Sequence, residues 1–261
     1  MPDYSSNLLQ KASPTLPHKG EWSCYTASYH SPMCGRFTLT VPRLERLKAV
    51  LTARLSGPWP ALEPRYNIAP SQTVAIVRQT PAGACELAMV RWGLVPPWSE
   101  EPKTAYSTIN ARAETVDRKP AFRHAFHRRR CLVPADGWYE WQQAQPRKLP
   151  WYFRRQDGGD FAFAGLWERW EREGQALESC TIIVTAANRL AARVHDRMPV
   201  ILAPEDYELW LDPNAPDPAA LKAMLKPCPD AWLTCCRVGL QVNSPKNDDP
   251  SLVEPITAAS G

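Results

Sequence analysis

The sequence has no long hydrophobic run and no paired cysteine motif. Nowhere does it approach the roughly 20 consecutive apolar residues of a membrane helix, and its N-terminus lacks the apolar segment of a secretory signal peptide. Its 8 cysteines are scattered without C-x-x-C spacing, which argues against a disulfide framework or a zinc site. We therefore expect a cytoplasmic protein with no membrane attachment, metal or cofactor.

The charge imbalance is also small. With 31 basic and 27 acidic residues the net charge is +4, a mild basic bias that is compatible with a nucleic-acid partner and does not require one. The 261 residues do contain 44% hydrophobic residues, 11 Trp and 27 Pro. This is ample apolar material for a core, and the abundance of Trp and Pro favours strands with long connections over a helical bundle.

The first ninety residues change character several times. Residues 1–32 are rich in Ser, Pro, Tyr and His without periodicity, so we expect them to be disordered. Apolar residues at helical spacing predict a helix over Thr40–Leu55. A Pro-rich connection over Gly57–Pro70 then precedes two expected strands, Thr73–Arg78 and Cys85–Trp92, which a Pro-Ala-Gly turn would join as a hairpin.

The rest of the chain has a run of expected strands with short helices on either side. A helix is expected over Pro120–Arg130, and two more over Pro204–Leu211 and Pro218–Leu225. The expected strands are Cys131–Val133, Trp138–Gln142, Trp151–Arg154, Phe161–Leu166, Cys180–Thr185, Val200–Leu202 and Trp232–Val238. Because strands do not alternate with long helices, the pattern favours an α+β fold with a mostly antiparallel, barrel-like sheet core and flanking short helices. We expect one monomeric domain over residues 33–245 and a polar tail over residues 246–261.

Cys34 offers unusual chemistry if it stands at a chain end. Were the chain to begin at Met33 and lose that methionine, Cys34 would carry an α-amine with a pKa of about 8 and a thiol with a pKa of about 8.5. Two such nucleophiles, two carbons apart, can close a five-membered ring on an aldehyde. Inside a chain, the nitrogen is a non-nucleophilic amide, and a free cysteine most often serves as a small buried hydrophobe.

Four segments set polar residues among Gly, Pro and Trp. They are Met33–Phe37, Ile109–Glu114, Ala135–Trp141 and Val194–Pro199. Together they supply a thiol, an amide, a carboxyl and an imidazole, the usual set for nucleophilic chemistry with proton transfer. At these residues the chain resembles the SRAP family of abasic site processing proteins. The resemblance runs in order from Cys34 to about Pro245 and includes Arg65–Pro70, Trp92–Trp98, Ile183–Asn188 and Val242–Pro245.

The resemblance implies an SRAP-like fold and a protein that binds single-stranded DNA at an abasic site and, if bacterial, is nucleoid-associated. Such a protein links itself covalently to the exposed aldehyde, here through a thiazolidine at Cys34. Glu140 would move protons beside the α-amine, His195 would assist opening of the sugar ring, and Asn110 would hold the open sugar. Outside that context, their ordinary roles are a solvent-facing strand carboxylate, a hydrogen-bonded turn histidine and a strand-end amide.

The resemblance also implies a DNA-binding surface. Its expected members are Arg36, Asn67, Pro70, Trp98, Arg112 and Arg197. The three arginines would grip phosphates, because a guanidinium group matches phosphate oxygens in geometry, although each one taken singly is an ordinary surface charge. The other three residues would shape the strand-binding surface, and Trp98 would offer a stacking face for a base.

Two other functions remain open on the sequence. A thiol peptidase with Cys34 as nucleophile and His195 as base, as the family's older name suggests, could remove residues 1–32 and so expose Cys34. A start site assigned too early, with Met33 as the true initiator, would explain residues 1–32 equally well.

The second alternative is a non-covalent single-strand DNA-binding module, which would need only Trp and Arg side chains. The basic segment His124–Arg130 fits either a DNA contact or a solvated helix face.

Overall fold

The structure, a computed structural model, describes residues 34–40, 44–51, 54–55, 57, 59, 61–103, 108–215 and 217–256. The expected disorder of residues 1–32 lies outside this part of the chain. The strands in chain order are β1 (Arg36–Leu39), β2 (Arg65–Ile68), β3 (Thr73–Gln79), β4 (Cys85–Trp92), β5 (Asn110–Arg112), β6 (Arg130–Ala135), β7 (Gly137–Gln142), β8 (Leu149–Arg155), β9 (Phe161–Arg172), β10 (Gln175–Ala186), β11 (Arg197–Pro199) and β12 (Leu233–Arg237). The α-helices are α1 (Glu45–Leu51), α2 (Pro120–Arg128), α3 (Tyr207–Leu211) and α4 (Pro218–Ala223).

One sheet is antiparallel throughout and contains the first strand. Its order is β12-β8-β7-β1-β2. β1 pairs with β7 so that Arg36 lies opposite Tyr139 and Thr38 opposite Gly137. A glycine is required at residue 137 because the ring of Tyr152 on β8 fills the space that a Cβ atom would take. This close approach sets β7 between β1 and β8.

The second sheet is barrel-like. β10 pairs with β9, β9 with β6, β6 with β3, β3 with β4, and β4 pairs back to β10. The β3–β6 link consists of a single residue pair, Val77 with Leu132. Two short strands, β5 and β11, extend the sheet on either side of the C-terminal end of β10. Only the β10–β4 and β10–β5 pairings are parallel among the described strands, so the α+β, mostly antiparallel expectation is confirmed.

Aromatic side chains join the two sheets. Phe37 on β1 meets Trp92 and Phe163 of the barrel-like sheet edge-on, with ring centroids 5.1 and 5.9 Å apart. Trp138 on β7 meets Phe161 and Phe163 of the barrel-like sheet edge-on, with ring centroids 6.4 and 6.5 Å apart. All five rings are buried, and each such pair contributes about 0.5–1.5 kcal/mol beyond the area it buries. The start of β1, next to Cys34, is thereby held firmly against the core.

Several expected boundaries were wrong. β2 lies inside the expected Pro-rich connection, because β1 supplies a partner and places Phe37 opposite Ile68. The strand beside the end of β10 is β11 at Arg197–Pro199 and not Val200–Leu202. β1 and β5 were not expected as strands either. At three or four residues, such strands are too short to show a period of two and form only where a neighbour pairs with them.

The expected polar tail packs on the domain as far as the structure describes it. The carboxylate of Asp248 accepts hydrogen bonds from the backbone N–H groups of Tyr66 and Asn67 and forms an ion pair with Arg65. Leu252 is 2% exposed. The folded domain therefore includes residues up to Ile256, beyond the expected end at residue 245.

Candidate active site

Cys34 and Glu140 are in direct contact although 106 residues separate them. The backbone N–H of Cys34 donates a hydrogen bond to Oε1 of Glu140 at 2.7 Å. The antiparallel pairing of β1 with β7 brings the two residues together, since Arg36 lies opposite Tyr139. Cys34 is 0% and Glu140 2% exposed. Glu140 is thus not a solvent-facing strand carboxylate.

The environment of Cys34 keeps its thiol protonated. Burial raises the pKa of the thiol well above its usual value, and the charge of the Glu140 carboxylate raises it further. The backbone of Cys34 has φ +43°, in the left-handed region that non-glycine residues seldom adopt. Strained backbone of this kind is typical of functional sites.

Glu140 has a proton affinity unusual for a carboxylate. Burial raises the pKa of Glu140 to about 8, and the negative charge of Asp196 also raises it. Hydrogen bonds from the backbone N–H groups of Cys34 and Trp141 act in the opposite direction without cancelling the effect of burial. A carboxyl group with a pKa near neutrality can both accept and donate a proton under physiological conditions.

His195 lies in the turn between a 3-10 segment, Ala191–Arg193, and β11. Its Nδ1 accepts a hydrogen bond from the backbone N–H of Arg197 at 3.1 Å and lies 3.0 Å from Oδ1 of Asp196. Burial lowers the pKa of His195, which opposes the attraction of Asp196. Burial thus favours the neutral form of the imidazole.

Asn110, Arg112 and Arg197 gather at the C-terminal end of β10. Asn110 lies opposite Ile182 and Arg112 opposite Val184, while Arg197 lies opposite Ala186 on the other side of the strand. The link from this end to the Cys34 contact is Asp196, next to Arg197, whose charge acts on Glu140. The fold thus joins Cys34 to Glu140 by direct contact and places Asn110 beside β10, whose C-terminal end pairs with the strand that follows His195.

Arg36 and Asn67 hydrogen-bond to the backbone of the loop over residues 242–247. The guanidinium of Arg36 donates to Oδ1 of Asn67 at 2.8 Å and to the carbonyl of Val242 at 2.7 Å. Asn67 is 0% exposed, and its amide donates to the carbonyls of Val242, Ser244 and Asn247. Asn67 therefore shapes the 242–247 loop from inside and presents no surface of its own.

Pro70 and Trp98 lie nearer the surface. Pro70 sits half-buried in the turn after β2. Trp98 is 59% exposed, and the loop that carries it is tied to β9 because the indole N–H of Trp170 donates to the carbonyl of Ser99 at 2.8 Å. An exposed indole on an anchored loop can stack on a base.

Sequence reasoning missed two acidic residues of the site. Glu114 forms an ion pair with Arg197, and Asp196 bears on both His195 and Glu140. Both residues lie inside segments already singled out, beside Arg112 and His195. The sequence did not predict their role as charge partners, because an ion pair between segments far apart in the chain produces no local pattern.

The described residues offer no other kind of centre. Within them, no group of three or more His, Cys, Asp or Glu could hold a metal ion, and no helix is long and apolar enough to cross a membrane. Their cysteines are free.

Residues 33–245 match the family model of the SOS response associated peptidases, SRAP. The chain belongs to the SRAP family. It is 41% identical over 224 residues to the abasic site processing protein YoqW of Bacillus subtilis, which covers 85% of this chain and 99% of YoqW. It is 32% identical over 266 residues to the abasic site processing protein HMCES of Xenopus tropicalis, and the alignment covers 86% of this chain and 78% of that protein. The SRAP match begins at Met33 and leaves the preceding residues outside it.

Solved structures agree with the SRAP assignment. A crystal structure of a protein from Bacteroides thetaiotaomicron superimposes with a TM-score of 0.73 at 26% identity, covering 86% of this chain and all of that one. A phage-related protein from Bordetella bronchiseptica does so with a TM-score of 0.62 at 30% identity, covering 78% of this chain and 94% of that one.

Proposed function

We propose that this protein processes abasic sites by binding single-stranded DNA and forming a covalent bond to the abasic aldehyde through Cys34. The observation that carries the proposal is the hydrogen bond from the nitrogen of Cys34 to the buried Glu140 carboxylate. The names of the SRAP relatives support the abasic-site substrate.

The proton affinities at this contact suit imine formation. An α-amine has a pKa of about 8, and the pKa of Glu140 is raised to about 8 by burial. Proton transfer between the two groups is then nearly thermoneutral at physiological pH, where general acid–base catalysis is most effective. Glu140 can take a proton from the attacking amine and return it to the departing hydroxyl of the carbinolamine.

The thiol completes the reaction. The amine of Cys34 condenses with the aldehyde to give an imine, and one water leaves. The S–H bond then adds across the C=N bond, so that sulfur bonds to the former aldehyde carbon and the nitrogen gains a proton. Aldehyde and aminothiol thus become thiazolidine and water with no oxidant or reductant. The raised pKa of the thiol favours this order, with the amine attacking first.

The neighbouring residues have supporting roles. His195 would assist opening of the closed sugar, in which the anomeric hydroxyl loses a proton and the ring oxygen gains one, because an imidazole can accept one proton and donate another near neutral pH. Asn110 would hold the open sugar by hydrogen bonds. Arg112 and Arg197 would bind phosphates, and the exposed face of Trp98 would stack on a base.

The proposal requires a free amine on Cys34. Translation from Met33 followed by removal of that methionine would supply it, as would cleavage of the Met33–Cys34 bond. A general thiol peptidase is less well supported, because within the described residues the Cys34 thiol has no hydrogen bond to a histidine and its pKa is raised, whereas such enzymes use a thiolate. Self-cleavage before Cys34 remains compatible with the proposal.

The test is to incubate protein whose intact mass shows Cys34 as its first residue with single-stranded DNA that carries one abasic site. We expect an adduct that survives denaturation and has the mass of the two components minus one water. Cys34→Ser should give only an imine that needs a reductant to trap it. Absence of an adduct from the mass-verified protein would overturn the proposal.

A further inference from the structure

Helix α2 carries only basic residues and histidines among the charged and titratable side chains of its solvent-facing surface. Lys119 at the N-cap and Arg123, His124, His127 and Arg128 of the helix are exposed there, while Phe122, Ala125 and Phe126 are buried. We call Lys119, Arg123, His127 and Arg128 the α2 basic face. The helix contains no acidic residue, and none lies in its first turn.

Lys119 and Arg123 of this face are uncompensated, unlike two neighbouring basic residues. The exposed His124 and the half-buried Arg129 both contact the buried carboxylate of Glu168. On the outer side, the side chains of Lys119 and Arg123 form no hydrogen bond or ion pair with any described residue. Arg128 contacts only the carbonyl of Pro213 there, at 3.3 Å.

The charges at the start of α2 work against the helix. Lys119 and Arg123 are four residues apart, where like charges cost an isolated helix about 0.2–0.5 kcal/mol, and cations near the first turn oppose the helix dipole. Arg128 in the last turn instead favours the dipole. Helix stability therefore accounts for Arg128 but not for Lys119 and Arg123, whose charges suit an anionic partner.

The α2 basic face begins beside the candidate active site. A short turn joins Arg112 on β5 to the start of α2, and Glu114 in that turn is paired with Arg197. α2 then packs along β6 and β9. It ends where Arg130 of β6 pairs with Leu166, away from the C-terminal end of β10. Nine residues span about 13 Å.

We propose that the α2 basic face binds the phosphate backbone of the DNA strand on one side of the abasic site. It would continue the track that starts at Arg112 and Arg197. This inference rests on the proposed function for its choice of polyanion. Its basis is the row of unpaired cations leading away from the site, which matches the regular negative charge of a nucleic-acid strand.

The test compares two single strands of about 20 nucleotides, longer than a typical single binding site. Each carries a tetrahydrofuran abasic analogue, which has no aldehyde. The analogue lies near the 5′ end of one strand and near the 3′ end of the other. Dissociation constants are measured by fluorescence anisotropy over a range of salt. The proteins are the full chain, the triple variant Lys119→Gln/Arg123→Gln/Arg128→Gln, and Arg169→Gln, an exposed arginine on β9 paired with Glu171.

We expect the triple variant to bind one of the two strands on the order of tenfold more weakly and to lose about 2 from the salt slope, at roughly 0.7 per phosphate contact. The triple variant should bind the other strand as the unaltered protein does, and Arg169→Gln should bind both strands with unchanged affinity. Equal weakening on both strands, or none, would overturn the proposal. Should the triple variant unfold, Arg123→Gln alone must give a smaller loss confined to the same strand, with about 0.7 lost from the salt slope, since its side chain forms no hydrogen bond or ion pair with a described residue.

A separate assay distinguishes this proposal from the proposed function. The triple variant should crosslink normally to an abasic strand of about 3 nucleotides with the abasic residue in the middle, because the one nucleotide on either side, at about 3.4 Å per phosphate, is too short to reach along α2. If the unaltered protein beginning at Cys34 forms no adduct with that strand, the proposed function fails. The one-sided binding result would still stand or fall by itself.

Discussion

The nitrogen of Cys34 lies 2.7 Å from a carboxylate oxygen of Glu140, and both residues are buried. Replacing Glu140 with Gln keeps the shape and a hydrogen-bond acceptor but removes proton exchange. We expect Glu140→Gln to slow adduct formation by about 100-fold or more at pH 7, measured by quenched time courses on denaturing gels. Glu171→Gln, an exposed carboxylate on β9, is the control. An unchanged rate would remove Glu140 from the mechanism.

The raised pKa of Glu140 also predicts how stability depends on pH. The pKa is about 8 in the folded protein and about 4.5 in the unfolded chain. Between these values the folded state binds more protons, so the free energy of unfolding falls as pH rises from about 4.5 to 8. We expect Glu140→Gln, made in protein that retains residues before Cys34, to lose this part of the pH dependence. Urea titrations at a series of pH values measure it. Identical slopes for the two proteins in that window would show that Glu140 titrates normally.

Asp196 should tune the site without touching the aldehyde. Its charge raises the pKa of Glu140, and its carboxylate lies 3.0 Å from Nδ1 of His195. We expect Asp196→Asn to lower the pKa of Glu140 and to shift the pH profile of adduct formation toward lower pH. Glu173→Gln, an 85% exposed carboxylate, controls for loss of net charge. A reduced rate with an unshifted profile would point to a merely structural role.

Asp248 should anchor the C-terminal segment to β2. Its carboxylate accepts two backbone N–H bonds and pairs with Arg65. Charge-assisted bonds at a partly exposed site contribute about 1–2 kcal/mol, so Asp248→Ala should lower the free energy of unfolding by about that amount. Chemical denaturation measures it, with the exposed Glu254→Ala as control. Equal stability of both variants would contradict the anchoring role.

Trp98 should contribute to DNA binding and not to folding. Its indole is 59% exposed, and stacking on a base is worth about 1–3 kcal/mol. Trp98→Ala should weaken binding of an intact single strand accordingly, with an unchanged melting temperature. Trp98→Phe, which keeps an aromatic face, should recover most of the affinity. Anisotropy titrations would contradict the stacking role if both variants bound like the original protein.

Local patterns were sufficient for some elements. The hairpin of β3 and β4 and the start of α2 at Pro120 lie where periodicity and proline signals predict them. β9 and β10 were found but are longer than expected, because Arg172 pairs with Gln175 to continue their ladder through polar residues. Strands of mixed polarity carry no clear alternation, so their ends depend on pairing.

The sequence by itself determined the α+β class, the order of the motifs and the family, because these depend on residue types and their spacing along the chain. Only the tertiary structure decided that the nitrogen of Cys34 meets Glu140, that Asp196 acts on Glu140, and that Asn67 is buried. Each of these depends on strand pairing and burial between segments far apart in sequence. The pKa of a side chain and its hydrogen-bond partners depend on the environment that the tertiary fold creates around it, and residue type alone does not determine them.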